Sequence, residues 1–203
     1  MSQFSLFASQ GRGEALIDDA TGRVEYLPDA IDPATATAWF DELIANVDWQ
    51  ANRRLMYERE VDVPRLMAHV STADPSLSAT LQSALEVVRR HYDAPFNSIG
   101  MNLYRDGRDS VAPHNDKLQQ MVSGMPVVLL SLGATRDMVI RGKQPPHRRI
   151  VLPLQAGSLL SMDWTCQFHY DHGIPKTSQV MGPRISLAFR VRPAEGTWGA
   201  GRP

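Results

Sequence analysis

The sequence lacks the features that mark secreted and membrane-spanning chains. Cys166 is its single cysteine, which excludes an intramolecular disulfide. No apolar run approaches the roughly 18 residues of a transmembrane helix. The opening "MSQFSLFASQGRGE" lacks the basic and apolar regions of a signal peptide. We therefore expect a cytoplasmic protein with no membrane partner, and no feature indicates an obligate protein partner.

Net charge is also nearly absent. The 21 basic and 22 acidic side chains leave a formal charge of −1, so no overall field draws the chain to a polyanion. Basic residues nevertheless recur at positions that could border a site entrance. They are Arg53, Arg54, Arg59, Arg65, Arg105, Arg108, Arg136, Arg141, Lys143, Arg148 and Arg149. Because acidic residues balance them overall, an ordinary solvated surface accounts for this set equally well.

The length of 203 residues and 43% hydrophobic content predict one globular domain, residues 1–203. Residues 1–21 are expected to be loosely ordered, and residues 22–97 to form an N-terminal extension and substrate lid. "GRVEYLP" predicts a first strand. "DPATATAWFDELIANV" predicts a helix with Asp32 as N-cap, and "SLSATLQSALEVVRRHY" predicts a second helix.

From about residue 98 the sequence changes to short apolar runs separated by Gly, Pro, Asn and Asp. The runs are "SIGMNLYR", "MPVVLLSLG", "DMVIR", "RRIVLPL", "GSLLSM", "QFHYDH" and "RISLAFRVR". Closely spaced short strands are typical of a β-sandwich or barrel. "RGKQPPHRR" reads as a hairpin loop. The predicted fold is therefore mainly β with flanking helices, with its core in residues 98–192.

"VAPHNDKL" places His114 and Asp116 two residues apart, on a short strand or at its end. Alternate residues of a strand share a face, so the two could form a hydrogen-bonded pair or provide two of three metal ligands. A third ligand could come from His169 or His172. Two histidines and one carboxylate on one face of an iron leave positions open for a cosubstrate and O₂. The plainer alternative is a surface histidine bound to a nearby aspartate.

A second group of polar residues makes the metal hypothesis stronger. Arg184 and Arg190 lie six residues apart on one predicted strand and can face one side. A guanidinium inside a β-barrel requires a carboxylate partner, which a dicarboxylate would provide. Asn102 and Tyr104 also share a strand face and offer amide and phenol donors.

Three blocks, "MNLYRDGRDSVAPHND", "LLSLGATRDMVIR" and "HGIPK…PRISLAFR", resemble the AlkB family of Fe(II)- and 2-oxoglutarate-dependent dioxygenases, as does "VDVPRLMAH". The likeness covers about residues 50–192. It implies a double-stranded β-helix (jelly-roll) core with an N-terminal helical extension. It also implies Fe(II), 2-oxoglutarate and O₂ as cofactor and cosubstrates. The implied iron ligands are His114, Asp116 and His172, where family spacing selects His172 over His169, and the implied 2-oxoglutarate residues are Asn102, Tyr104, Arg184 and Arg190.

The resemblance also implies oxidative removal of N-alkyl groups from nucleobases in DNA or RNA. Substrate contacts are expected from Tyr57, Arg65, His69, Leu118 and Arg136. The chain departs from the family at several of its positions. Leu118 replaces an acid, the segment after "PRL" lacks an aromatic ring that His69 could replace, and Ser186 and Ala188 replace Asn and Thr. An oxygenase acting on a protein side chain, a modified RNA or a small molecule is therefore the alternative, with a non-enzymatic binding module third.

Overall fold

The structure, a computed structural model, describes residues 13–56 and 59–194, and within residues 52–62 only the backbone is described. It contains twelve strands in this part of the chain: β1 Glu14–Asp19, β2 Gly22–Leu27, β3 Gln50–Met56, β4 Arg59–Ser71, β5 Ser98–Tyr104, β6 Val111–His114, β7 Val127–Gly133, β8 Arg136–Gly142, β9 Arg149–Leu154, β10 Leu159–Met162, β11 Tyr170–Ile174 and β12 Arg184–Arg190. The helices are α1 Pro33–Asn46, α2 Ala79–His91 and the single turn α3 Cys166–His169, with a 3₁₀ turn at Leu118–Gln120.

Two antiparallel sheets make up the fold. The larger has the strand order β1-β2-β10-β7-β12-β5-β4-β3, and the smaller has the order β6-β11-β8-β9. From β5 onward the strands are divided between the sheets, β5, β7, β10 and β12 in the larger and the other four in the smaller. This division is that of a double-stranded β-helix, so the predicted jelly-roll fold is confirmed.

The N-terminal extension differs from the prediction in one respect. Besides two helices it contributes four strands, which cover both edges of the larger sheet. Residues 14–19, expected to be loosely ordered, form β1 and pair with β2. The physical reason is that β10 and β5 would otherwise present unpaired backbone groups, and added strands satisfy them.

Both predicted helices form, and their caps explain where they begin. The Asp32 carboxylate accepts a hydrogen bond from the Thr35 amide at 3.0 Å, and Pro33 occupies the first turn. Ser78 caps α2 through the Leu81 amide at 3.3 Å. The two helices pack their apolar sides on the outer face of the larger sheet, where Leu43 and Val88 are fully buried.

The inner face of the larger sheet meets the smaller sheet and forms a second hydrophobic cluster. Leu129, Leu160 and Ala188 from the larger sheet pack there with Ile140 from the smaller one. Polar side chains interrupt this inner cluster on β5, β6, β11 and β12, which places them in the barrel interior. No helix among residues 13–56 and 59–194 has the length and apolar character needed to cross a bilayer.

Candidate metal centre

Two histidines meet across the smaller sheet because of strand register. His114 ends β6 and His172 lies within β11, and the two are direct partners in the antiparallel pairing. Partners across such a pair have neighbouring side chains. Their ring centroids are 4.6 Å apart and the rings are tilted by 50°. The pairing therefore brings together two imidazoles that are 58 residues apart in sequence.

Asp116 reaches the same place by a different route from the one predicted. β6 ends at His114, so Asp116 follows the strand and does not lie on it. Its backbone amide donates to the Gln167 side-chain oxygen at 2.8 Å. Its carboxylate accepts two bonds from Arg190, at 3.0 and 3.4 Å. These contacts, not strand alternation, place the carboxylate beside the imidazoles.

The three side chains present one ligand atom each within 4.8 Å of one another. The Nδ1 atom of His114 lies 3.0 Å from the Ala112 carbonyl. Since a carbonyl only accepts, Nδ1 carries the hydrogen and Nε2 remains available for a metal. Two imidazoles and one carboxylate on one side of a cation are the ligand set of non-haem iron sites. The residues present therefore fit an iron ion.

The protonation states of these groups suit metal binding. Burial lowers the pKa of His172 to about 4, although the Asp116 charge opposes the shift. Burial by itself would raise the pKa of Asp116, but the Arg190 guanidinium and the two histidines bring it below the usual range. At neutral pH the His172 ring is consequently uncharged and the Asp116 carboxylate is ionised, as ligands must be.

A buried cation with unused donors lies further along β12. Arg184 is 1% exposed, and its Nη2 donates to Ser131 Oγ at 2.9 Å. Its Nε and Nη1 have no partner, and no carboxylate of the described residues pairs with it. Burial lowers the pKa of Arg184 to about 10, so the guanidinium remains charged. An unpaired buried cation is costly, and a carboxylate from solution would satisfy it. The site therefore fits a diacid such as 2-oxoglutarate.

The other predicted cosubstrate residues line the same inner face. Tyr104 is the register partner of Arg184, whose guanidinium carbon lies 5.3 Å from the centre of the Tyr104 ring. Asn102 is the register partner of Ser186, and its side-chain oxygen accepts from Arg65 Nε at 2.7 Å. Arg65, which was expected to contact the substrate, is thus bonded to Asn102, which was expected to contact 2-oxoglutarate.

Arg136, which was expected to contact substrate, is buried and bonded to the protein. It is 3% exposed. Its guanidinium donates to the carbonyls of Asp106, Asp109 and Pro175 at 2.8 to 3.0 Å. These three bonds, from Nη1 and Nη2, hold loops at the barrel end. A substrate contact of Arg136 stays a prediction from the sequence.

The remaining predicted substrate residues have different positions. His69 is exposed on β4, and its Nε2 lies 2.8 Å from Ser98 Oγ. Leu118 is half-buried and begins the 3₁₀ turn just after the metal ligands. Tyr57 lies outside the described residues. His169, the rejected ligand candidate, ends α3 and is not on the strand that was expected to carry it.

Much of the predicted basic set forms ion pairs with carboxylates. Arg105 pairs with Asp109 at 2.8 Å and Arg108 with Asp106 at 2.6 Å. Arg148 lies 3.3 Å from Asp19. The pairs Arg108–Asp106 and Arg148–Asp19 are exposed and contribute little to stability, whereas the Asp109 carboxylate is buried. All three pairs lower the positive charge that this surface presents.

Sequence reasoning missed Gln167 and Ser131 as residues of the site, and it expected Lys143 only as one of the basic residues near an entrance. Ser131 binds Arg184, and Lys143 Nζ donates to Asn115 Oδ1 at 3.0 Å and to the Gln167 carbonyl at 2.9 Å. Neutral amides and hydroxyls form no recognisable pattern in one sequence. Only the chain path through α3 shows that Gln167 lies beside Asp116.

Comparison with known proteins agrees with this geometry. The profile of the 2OG-Fe(II) oxygenase superfamily matches residues 64–190. The chain is 38% identical over 117 residues to human "DNA oxidative demethylase ALKBH2", covering 52% of this chain and 45% of that protein. It is 30% identical over 199 residues to mouse "Alpha-ketoglutarate-dependent dioxygenase alkB homolog 3", covering 87% of this chain and 68% of that protein.

A solved structure shows the same fold. The prolyl-4-hydroxylase of Pseudomonas putida superimposes with a TM-score of 0.59 over 86% of this chain and 95% of that one, at 13% identity. Such low identity indicates shared architecture and says nothing of substrate. From the profile match and the mouse relative, the chain belongs to the 2OG-Fe(II) oxygenase superfamily, among its AlkB-like dioxygenases.

Proposed function

We propose that the chain is an Fe(II)- and 2-oxoglutarate-dependent dioxygenase that removes N-alkyl groups from nucleobases in DNA or RNA. The observation that carries the proposal is the meeting of His114, Asp116 and His172 on the barrel face that also holds the unpaired Arg184. The similar human protein ALKBH2 is named a DNA oxidative demethylase, which supports a nucleic-acid substrate.

In this proposal the metal is held by His114 Nε2, His172 and the Asp116 carboxylate. Arg190 keeps that carboxylate ionised and fixes its plane through two hydrogen bonds. Gly100 makes room for this pairing, since a Cβ there would lie 3.2 Å from Arg190 Nη1. When bound, Fe(II) with 2-oxoglutarate and O₂ supplies the oxidant that hydroxylates a substrate C–H bond.

Arg184, whose Nε and Nη1 have no partner in the protein, would pair with the far carboxylate of 2-oxoglutarate. Tyr104 is fully buried beside it, and burial raises the pKa of its phenol, so that hydroxyl remains a hydrogen-bond donor. The apolar residues around both groups, including Leu129 and Ile140, keep water from the cosubstrate. This combination binds and orients a diacid toward the metal ligands.

The substrate side supports a second candidate. Leu118 occupies the position where repair members of the family are expected to carry an acid, so an acceptor for a base amino group is missing there. A half-buried leucine favours an apolar part of a substrate instead. We therefore propose, as the alternative, hydroxylation or demethylation of a different substrate by the same site.

Single-stranded DNA and RNA oligonucleotides carrying 1-methyladenine or 3-methylcytosine test the proposal. The chain, loaded anaerobically with Fe(II) and 2-oxoglutarate and then exposed to O₂, should release formaldehyde in step with succinate. Formaldehyde is expected because a hydroxymethyl group on a ring nitrogen is unstable. The His114→Ala variant, which removes one metal ligand, should release neither product above background.

The same assay separates the alternatives. Succinate without formaldehyde, at equal rates with methylated and unmethylated oligonucleotides, would favour the second candidate. A wild-type chain that binds neither metal nor 2-oxoglutarate would contradict both enzyme proposals. A cytoplasmic location stays a prediction from the sequence.

A further inference from the structure

Asp116 is the one residue of the three proposed ligands that no strand pairing holds. β6 ends at His114, and the 3₁₀ turn begins only at Leu118. β6 pairs with β11 at Val111 and at His114, so the pairing stops two residues before Asp116. A carboxylate in an irregular segment has no fixed position unless side chains supply one.

Arg190 holds the carboxylate itself, and three further side chains hold the backbone of Asp116: Gln167 in α3, Lys143 just after β8, and Asn115. The Gln167 side-chain oxygen accepts the Asp116 amide at 2.8 Å. Lys143 Nζ donates both to the Gln167 carbonyl at 2.9 Å and to Asn115 Oδ1 at 3.0 Å. Asn115 in turn donates to the Asp116 carbonyl at 3.0 Å. We call Gln167, Lys143 and Asn115 the ligand clamp, because their bonds form a closed ring around the Asp116 backbone.

The Gln167 amide is oriented by this ring. A backbone N–H can only donate, so the atom facing Asp116 must be the amide oxygen. Gln167 is 2% exposed, and its Nε2 is buried without a partner. A buried amide with an unused donor is a poor way to stabilise a core, where an apolar residue would fit at lower cost. The presence of Gln167 is explained by its side-chain oxygen, which holds the Asp116 amide in place.

We propose that Gln167 is a positioning residue that sets the place of the Asp116 carboxylate for metal binding, with Lys143 fixing Gln167 from the solvent side. This inference rests on the proposed metal site. It adds a residue that acts through Asp116 and touches neither metal nor substrate. Losing a contact of this kind typically weakens metal binding by about 10- to 100-fold.

Two substitutions of Gln167 distinguish the effect of its hydrogen-bond acceptor from the effect of its packing. Gln167→Met keeps the length and removes the acceptor, whereas Gln167→Glu keeps an acceptor oxygen. Mn²⁺ affinity is measured by calorimetry on the whole chain, and the d–d absorption of the Co²⁺-loaded chain reports ligand geometry. We expect about 10- to 100-fold weaker Mn²⁺ binding and an altered Co²⁺ spectrum for Gln167→Met. Gln167→Glu should bind Mn²⁺ at least as tightly as the wild type.

Gln179→Met, the same change at an exposed glutamine, is the matched control and should match the wild type. Equal Mn²⁺ affinity and equal Co²⁺ spectra for Gln167→Met and wild type would overturn the inference, as would equal losses in both Gln167 variants. If Gln167→Met does not fold, the Lys143→Met variant tests the ligand clamp in its place. Its side chain is 27% exposed, and we expect weaker Mn²⁺ binding by about 3- to 10-fold. No loss in that variant would overturn the clamp.

The outcome for the wild type distinguishes the two proposals. A wild-type chain that binds Mn²⁺ while its clamp variants bind equally well would overturn the inference alone. A wild-type chain that does not bind Mn²⁺ would overturn the proposed function and the inference with it.

Discussion

The two ends of β12 carry arginines with opposite environments. Arg184, at the start of the strand, is 1% exposed, has two unpartnered donors and has no carboxylate partner within the described part of the chain. Arg190, at its end, has a side chain 17% exposed and donates two bonds to Asp116. The two arginines share one face of the strand but have different functions. The Arg190 end is completed by the protein itself, whereas the Arg184 end requires a carboxylate from outside.

Replacing the unpaired arginine should have the largest effect. Arg184→Met should weaken 2-oxoglutarate binding by more than about 100-fold, because a charged hydrogen bond in a dry site contributes about 3 kcal/mol. The free energy of unfolding of the ligand-free variant should stay equal or rise by about 1 kcal/mol, since an unpaired buried charge is removed. Calorimetric titration with Mn²⁺ present and urea unfolding measure the two quantities.

A variant that loses stability but keeps 2-oxoglutarate affinity would show that Arg184 is structural. Lys is a further comparison at this position. Arg184→Lys keeps the charge but not the planar set of guanidinium donors, so we expect intermediate affinity.

Replacing the paired arginine should act on stability instead. Arg190→Met leaves the Asp116 carboxylate, 11% exposed, without its partner, which should lower the free energy of unfolding by about 3 kcal/mol in the metal-free chain. Saturating Mn²⁺ should recover part of this loss, since the cation becomes the partner of Asp116. Urea unfolding with chelator and with Mn²⁺ provides the measurement.

Arg23→Met is the matched control for that experiment. Its ion pairs with Asp18 and Glu25 lie at the surface, where the Arg23 side chain is 52% exposed, so their loss should lower stability much less than the loss of the Arg190 pair. Equal losses in the free energy of unfolding for Arg23→Met and Arg190→Met would contradict the contrast between a buried and an exposed ion pair.

Lowering the pH should destabilise the metal-free chain through His172, at a pH where Asp116 is still ionised. The pKa of His172 is lowered by burial from 6.5 to about 4, so the unfolded chain takes up a proton as pH falls through 6.5 while the folded chain does not. The unfolding free energy of the metal-free chain should therefore fall by about 2 kcal/mol between pH 7 and pH 5. Asp116, whose pKa is lowered, stays ionised over this range.

His172→Gln isolates this contribution, because it leaves the other groups that titrate near this pH in place. His69, whose pKa is also lowered by burial, is one of them. Urea unfolding of both proteins at pH 5, 6 and 7 gives the difference. An identical pH slope in the variant would contradict the assignment to His172.

The smallest expected effect is on substrate preference and concerns Leu118, which lies just after the metal ligands in sequence. Leu118→Glu would add an acceptor next to the metal ligands and should raise kcat/KM for a methylated oligonucleotide by up to about tenfold, the value of one added hydrogen bond. The affinity for 2-oxoglutarate should not change. Leu118→Gln is the uncharged control. A lower kcat/KM in both variants would favour a substrate with an apolar group at this position.

Several elements were predictable because their causes are local. The Asp32 cap with Pro33 located the start of α1, and short apolar runs separated by Gly, Pro, Asn and Asp located most strands of the core. The three blocks shared with AlkB-like proteins located His114, Asp116 and His172. Residues 14–19 were missed, since an edge strand forms only where a partner edge is available.

Within the site, the sequence did not show contacts that depend on a distant partner. Arg136 is bonded to three carbonyls from two loops, which no pattern in the sequence indicated. Asp116 was expected on a short strand or at its end, and the structure places it two residues beyond the end of β6. Gln167 gave no signal, because a glutamine in one helical turn is common in any protein.

The sequence by itself determined the fold class, both long helices and which charged residues were candidates for a metal and a diacid, because those follow from short-range spacing and residue chemistry. Only the tertiary structure decided that Arg190 pairs with Asp116 while Arg184 pairs with no carboxylate, and that Gln167 fixes a ligand. The physical reason is that hydrogen-bond partners in this barrel come from strands and loops far apart along the chain.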